Sequence, residues 1–278
     1  MKRVALVVHE GRDAAVTAAG QIESILAGED AETSRLRDGG SLPERTDLVV
    51  SVGGDGTFLR AAHVAALVDA PVLGVKVGRM GFLTEVVPEE AGPLLRAVLA
   101  GTASVEERLA VTAEPERGDA IEPQWALNEI MVEKRARHRL VRLAVWVDGD
   151  YVTTFSADGV IVATPTGSTA YSFSARGPIV APGVACLILT PIAAHMVFDR
   201  SFVLDAAQQV TLEVRGDERG LLSADGRESL ELPVGSRIRI RASNRPARLV
   251  RRAGAPGFLT LVREKFGLPG EPDVGTPR

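Results

Sequence analysis

Within the first hundred residues, short β-branched apolar runs alternate with stretches of helical period, and few folds accept that alternation. Val4–Val8, Asp47–Val52 and Pro71–Val77 read as strands, while Asp13–Ala27, Thr57–Val68 and Glu89–Leu99 read as helices. Strands linked through helices predict a parallel sheet with crossover connections, a Rossmann-like α/β unit. Beyond Thr102 the period becomes strand-like, with runs at Leu140–Val147, Gly159–Ala163, Cys186–Leu189, Val210–Val214 and Arg237–Arg241 set between Gly, Asp and Pro turns. That half predicts a mostly-β, sandwich-like domain. The expected division is 1–101 for the α/β domain and 102–254 for the β-rich domain. The tail, 255–278, carries one amphipathic piece, Phe258–Phe266, expected to pack back on the first domain.

Of the 278 residues, 45% are hydrophobic and 24% charged, which predicts a folded globular chain rather than a disordered one. Lys and Arg number 32 against 36 Asp and Glu, a net charge of −4 that argues against nucleic acid as the main partner. The single cysteine, Cys186, cannot form an intrachain disulfide, which fits a reducing compartment and makes the cytoplasm the expected location. Val4–Val8, after Lys2 and Arg3, is too short for a signal peptide. Residues 177–198 carry no Asp, Glu, Lys or Arg, but Pro178, Pro182, Gly183 and Pro191 interrupt them, so buried strands and turns are expected rather than a membrane span.

The sharpest local feature is Val52-Gly53-Gly54-Asp55-Gly56-Thr57, where an apolar strand meets a helix. Glycines there let backbone N–H groups approach a phosphate, and the helix that follows adds its positive dipole. Asp55 then stands at the mouth of the site, able to take a proton from a hydroxyl. The plainer reading is a β–α turn with Thr57 as N-cap. No Gly-Lys pair exists for a Walker loop, and Leu59 stands where a dinucleotide fingerprint needs its third glycine. No Gly-x-Ser-x-Gly elbow or His-Glu-x-x-His helix is present either, which weighs against serine hydrolases and zinc proteases.

A second feature runs from Asp158-Gly159 through a buried strand into Thr164-Pro165-Thr166-Gly167-Ser168-Thr169-Ala170-Tyr171-Ser172. This density of hydroxyls suits a ribose, an amide or phosphate oxygens, although a capped turn is the plainer reading. Asn128-Glu129 offers an amide and a carboxylate at a strand start. Asp148-Gly149 and Asp225-Gly226 are hairpin dipeptides, the second with room for a further role. Arg237, Arg239 and Arg241 share one strand face, and Lys134, Arg135, Arg137, His138, Arg139 and Arg142 crowd a turn; each set suits a polyphosphate donor or a solvated face balanced by acids. His9, His63 and His138 show no metal-ligand spacing, and His195 ends an apolar run.

Together, Gly53–Thr57, Gly81–Thr84, Asn128–Glu129 and Asp158–Ser172 resemble, in order, the motifs of the NAD kinases, which phosphorylate NAD to NADP; the likeness spans about residues 3 to 266. The resemblance implies an α/β domain, a β domain and a dinucleotide between them, usually in a homodimer or homotetramer. It implies Asp55 as proton acceptor for the adenosine ribose 2′-OH, with Gly54 and Gly56 shaping the phosphate-side turn and Arg60 contacting phosphate. It places Asn128 and Glu129 on ribose or nicotinamide groups and Asp158 at the nicotinamide end. Thr166, Thr169, Ala170, Tyr171, Ser172, Phe173 and Ser174 make adenine and hydroxyl contacts. The resemblance also implies Phe82, Arg139 and Arg227 as further ligand contacts. Mg²⁺ is implied with NAD and ATP, or polyphosphate, as substrates; neither nucleic acid nor membrane is implied. Departures are Lys76 for a usual Asn, Met80 for Leu, Arg176 for Gly, and Met196 and Val197 for hydroxyls after His195. Two other readings are a lipid or sphingoid kinase sharing Gly-Gly-Asp-Gly and a non-catalytic dinucleotide-binding regulator.

Overall fold

The computed structural model describes residues 1–269 apart from 37–39, 41, 44, 79–80, 117–120, 197 and 228–229. Met80 and Val197 therefore lie outside the described residues. In chain order the elements are β1 (Lys2–Val8), α1 (Asp13–Gly28), β2 (Ala31–Leu36), β3 (Leu48–Gly53), α2 (Asp55–Leu67), β4 (Val72–Lys76), α3 (Ala91–Leu99), β5 (Ser104–Arg108), β6 (Val111–Pro115), β7 (Gln124–Ala126), β8 (Glu129–Lys134), β9 (Val141–Val147), β10 (Asp150–Ala157), β11 (Gly159–Ala163), α4 (Tyr171–Ser174), β12 (Cys186–Ile192), β13 (Phe202–Asp205), β14 (Val210–Arg215), β15 (Gly220–Ala224), β16 (Leu230–Leu232), β17 (Arg237–Ala242), β18 (Ala247–Arg251) and α5 (Phe258–Phe266).

The first sheet has the order β2-β1-β3-β4-β18-β5, parallel except for the β18–β5 edge. Alternation along β1 and β3 explains its two covered faces. Val4, Leu6, Val8, Leu48, Val50 and Val52 meet the alanines and Ile22 of α1 and Leu95 of α3. Val7 and Val49 face the other way, onto Phe58, Ala61, Ala62 and Ala65 of α2. The same α2 cluster takes in Ala110, Trp125, Leu127 and Ala247, so the two halves of the chain share apolar packing beneath this helix.

Two antiparallel six-stranded sheets form the rest, β10-β9-β14-β17-β6-β7 and β13-β12-β11-β8-β15-β16. Their inward residues, among them Val132, Leu143, Phe155, Val162, Leu189, Leu212 and Ile238, make one core, as in a sandwich. The chain is thus an α/β half with a mainly parallel sheet followed by a mostly-β half. Asp148-Gly149 makes the β9–β10 hairpin with both residues at positive φ, 52° and 93°. The uncharged stretch 177–198 contributes β12, and no helix among the described residues is long and apolar enough to cross a membrane.

Candidate active site

β3 ends at Gly53, and α2 begins with Gly54 as its N-cap and Asp55 as its first residue. Thr57 is buried inside the first turn and is not the cap. No side chain caps this helix, so its first N–H groups are left for another acceptor. A Cβ at Gly54 or Gly56 would meet open space. The bareness of these two positions is therefore not demanded by the protein's own packing.

The Asp55 carboxylate is half-buried and held from 27 residues further along the chain. Phe82 donates its backbone N–H to Oδ2 at 2.9 Å and Leu83 donates to Oδ1 at 3.3 Å. Gly81 lies so close beneath that a Cβ there would overlap both carboxylate oxygens. The segment docks because Gly74 in β4 lets the Leu83–Thr84 backbone lie against it, with Glu85 N–H donating to Gly74 O at 2.9 Å. The spacing between Gly-Gly-Asp-Gly and Gly-Phe-Leu-Thr is thus one clamp on one side chain.

A second cluster forms where β8 starts. Asp225, at φ 51° in its Asp-Gly turn, accepts the backbone N–H groups of Leu127 (2.8 Å), Asn128 (2.8 Å) and Glu129 (3.1 Å). The hydroxyl-rich turn packs on the same backbone. Thr164 donates its Oγ1–H to Leu127 O at 2.6 Å, Asn128 O accepts the Thr164 N–H at 2.8 Å, and Gly167 fits only because it lacks a Cβ beside Asn128 O. Several hydroxyls are used internally: Ser168 bonds Val180 at both N and O, and Ser172 faces Thr190 inside the fold. Thr169 and Ala170 stay half-exposed, and Tyr171, Phe173 and Ser174 are exposed.

Burial and the nearby Asp225 carboxylate push the Glu129 pKa up to about 8. Glu129 Oε2 is buried with no hydrogen-bond partner, and so is Nη1 of Arg227, whose other end donates to Trp125 O. Buried polar atoms are rarely orphaned, and these two lie in the same cluster as Asp225. His63 of α2 stacks on Trp125 with centroids 6.0 Å apart; burial, then the Arg227 charge, lowers its pKa to about 4.

The two clusters meet through α5. Phe266 packs against Phe82 (6.0 Å between centroids) and Phe173 (4.4 Å), joining the Asp55 clamp to the hydroxyl turn. Beneath them Phe82, Leu83, Arg108, Thr166, Thr169 and Arg251 surround a cavity of about 30 Å³. Arg108 is buried, paired bidentately with Glu106 (2.7 and 3.1 Å) and 3.4 Å from Thr166 Oγ1, and Arg251 pairs with Glu85 at 3.0 Å. No local pattern in the sequence signals this network, whose members come from four distant segments. Asp225 did leave a sign, the Asp-Gly dipeptide.

Other residues singled out above stand elsewhere. Arg60 is exposed on α2. Asp158 and Thr164 flank the five residues of β11, so roughly 20 Å of extended chain separates them. Asp158 is paired with Lys134, and Arg139, exposed, with Glu218 at 3.2 Å at the same far end of the sheet. The Arg237, Arg239 and Arg241 face is matched by Glu116, Glu213 and Glu114, with Arg237 also lying 4.5 Å from the Trp146 ring centroid. That settles the face as balanced by acids rather than open to a polyphosphate. Among the described residues, no three His, Cys, Asp or Glu side chains gather as metal ligands.

Residues 39–103 match the model of the ATP-NAD kinase N-terminal domain, and residues 127–252 that of the ATP-NAD kinase C-terminal domain. The NAD kinase of Leifsonia xyli subsp. xyli is 41% identical over 259 residues, covering 91% of this chain and 84% of that protein. That of Geobacter metallireducens is 43% identical over 227 residues, 81% of this chain and 80% of its own. Among solved structures, an Archaeoglobus fulgidus NAD kinase in complex with ATP aligns with a TM-score of 0.76 at 31% identity, over 90% of this chain and 94% of that one. A yeast NADH kinase complexed with NADH shares the fold, with a TM-score of 0.87 at 24% identity over 99% of this chain and 90% of its own. These relatives lend no support to a lipid kinase or a non-catalytic regulator. With both halves matched in order and most of the chain aligned, this chain belongs to the ATP-NAD kinase family.

Proposed function

We propose that this protein is an NAD kinase, moving the terminal phosphoryl group of ATP, or of polyphosphate, to the adenosine ribose 2′-OH of NAD. The observation that carries the reading is the Asp55 carboxylate, half-exposed at the glycine loop and pinned by Phe82 and Leu83, residues that share a cavity with Thr166 and Thr169. A bond forms between the 2′ oxygen and the terminal phosphorus, the bond from that phosphorus to the bridging oxygen breaks, and the shortened donor leaves. The hydroxyl proton passes to Asp55. The backbone donors fix the carboxylate's direction and leave further lone pairs for that proton.

Gly54, Gly56 and the α2 N-terminus receive donor phosphates, with Arg60 nearby on the same helix. Asn128, Glu129 and Arg227 hold polar groups of the dinucleotide, as the two orphaned atoms suggest. Phe82, Thr166, Thr169, Ala170, Tyr171, Phe173 and Ser174 line its adenosine side, and Ser172 supports the turn from within. Asp158 and Arg139, at the far end of β11 and β8, reach a nicotinamide only if a second copy brings that end to the cleft. A homodimer or homotetramer accommodates this, and the exposed Val203 on edge strand β13 supports self-association. The location we assign is the cytoplasm, with the free, buried Cys186 in keeping.

Mg²⁺ fits as a companion of the donor, since Asp55 is a single accessible carboxylate beside the loop that would hold the phosphates. It would neutralise charge on the transferring group. Purified protein incubated with NAD, Mg²⁺ and each donor separately, with NADP followed by a coupled dehydrogenase, tests the reading. NADP formation supports it; phosphorylation of a lipid with no NADP would overturn it.

A further inference from the structure

Phosphoryl donors carry several negative charges, and the loop from Gly53 to Gly56 offers backbone N–H groups without a lysine of its own. Two lysines from distant parts of the chain converge on it. Lys76 ends β4, and the β3–β4 register sets it opposite Gly53. Val77 N–H donates to Gly53 O at 3.0 Å and fixes that register to the loop. Lys265 comes from the last turn of α5, and its Nζ lies 5.8 Å from the ring centroid of Phe82, the residue whose N–H holds Asp55. The helix is fixed there by its neighbour Phe266, wedged against Phe82 and Phe173.

Charges of both signs act on Lys265. Burial works against the Lys265 ammonium and Lys76 repels it, while Asp55 and Glu264 attract it; the balance leaves its pKa below the ordinary lysine range. Both lysines are half-buried. Lys265 thus stands within electrostatic reach of both Asp55 and Lys76, so a polyanion drawn to the two lysines also comes near the carboxylate that takes the acceptor's proton.

We infer that Lys265, with Lys76 beside it, seats the terminal phosphates of the donor at the glycine loop, supplying the positive charge that a Walker lysine supplies elsewhere. This rests on the phosphoryl-transfer reading above and names the residues that read the donor. The C-terminal helix then does more than brace the two halves: it carries a substrate contact into the cleft.

The test uses the full chain, MgATP in steady-state kinetics, and inorganic tripolyphosphate in calorimetric titration. Charge-assisted hydrogen bonds of ordinary strength predict that K265A raises KM for ATP and Kd for tripolyphosphate about tenfold or more. KM for NAD is expected to stay near the wild-type value, K265R to recover most of the loss, and K76A to show a smaller shift in the same direction. Unchanged donor KM and tripolyphosphate affinity in K265A would overturn the inference. So would a parallel rise in both substrate KM values with tripolyphosphate binding intact, which is the mark of a helix that only braces. If K265A does not fold, K265Q makes the same comparison. A wild-type protein that forms no NADP would sink the acceptor reading, while the tripolyphosphate titration would still decide the role of the two lysines.

Discussion

The backbone of Gly81 lies directly against the Asp55 carboxylate, with the N–H groups of the next two residues, Phe82 and Leu83, donated to its two oxygens. A methyl group at residue 81 must displace the carboxylate or the segment. Gly81→Ala is therefore expected to lower kcat about a hundredfold, since misplacing a reacting group by an ångström costs that much. Steady-state kinetics beside a thermal melt check this: a cooperative melt with collapsed kcat supports the clamp, and unchanged kcat refutes it.

Asp225 organises the other side of the cleft through three backbone hydrogen bonds. Asp225→Ala strips acceptors from buried N–H groups, a loss on the order of 3 kcal/mol of stability. Because these donors set the positions of Asn128 and Glu129, KM for NAD is expected to rise more than KM for ATP. Equal effects on the two substrates would count against this placement.

The raised pKa of Glu129 makes stability depend on pH. The folded protein keeps a proton that the unfolded chain releases between about pH 4.5 and 8, so the contribution of Glu129 to stability is greatest below that window and falls as pH rises through it. Below about pH 6.5 the buried His63 acts in the opposite sense, so denaturant melts should show the fall in the wild type between about pH 6.5 and 8, on the order of 2 kcal/mol. Glu129→Gln should flatten it; an identical pH dependence in that variant would exclude Glu129 as the cause.

Arg176 has a φ of 67°, in the left-handed region, and terminates α4. Its N–H donates to Phe173 O at 2.9 Å and that of Gly177 to Ser172 O at 2.8 Å, the pattern of a Schellman cap with a non-glycine residue where glycine is favoured. The departure noted in the sequence thus has a physical cost. Arg176→Gly is expected to raise stability by about 0.5–1 kcal/mol after the entropy of the added glycine is subtracted, readable as a higher Tm.

Much of this was legible before any coordinates. The α/β half follows from the apolar runs of β1, β3 and β4 alternating with stretches of helical period, and Phe258–Phe266 stood out as an amphipathic piece, which is α5. Strand β2, with its polar Glu32, Thr33, Ser34 and Arg35, was not legible, because pairing with β1 rather than apolar period holds it in the sheet. Around the candidate site, Asp55 stood out by its place among glycines at a strand's end, while Asn128 and Glu129 drew notice chiefly through the family resemblance. The Arg108–Thr166 and Arg251–Glu85 contacts and the approach of Lys265 to Phe82 did not stand out, since each joins segments that only the tertiary fold brings together. Some expected hydroxyl contacts point inward for a similar reason: the turn needs Ser168 and Ser172 to hold its own shape.

The most direct measurement is turnover of Asp55→Asn with NAD, MgATP and a calorimetric titration of NADP on the same preparation. The isosteric amide still accepts at one oxygen but cannot take the 2′ proton, so kcat is predicted to fall by about a thousandfold or more while NADP binding persists. Near wild-type kcat in a variant that binds NADP normally would contradict the account.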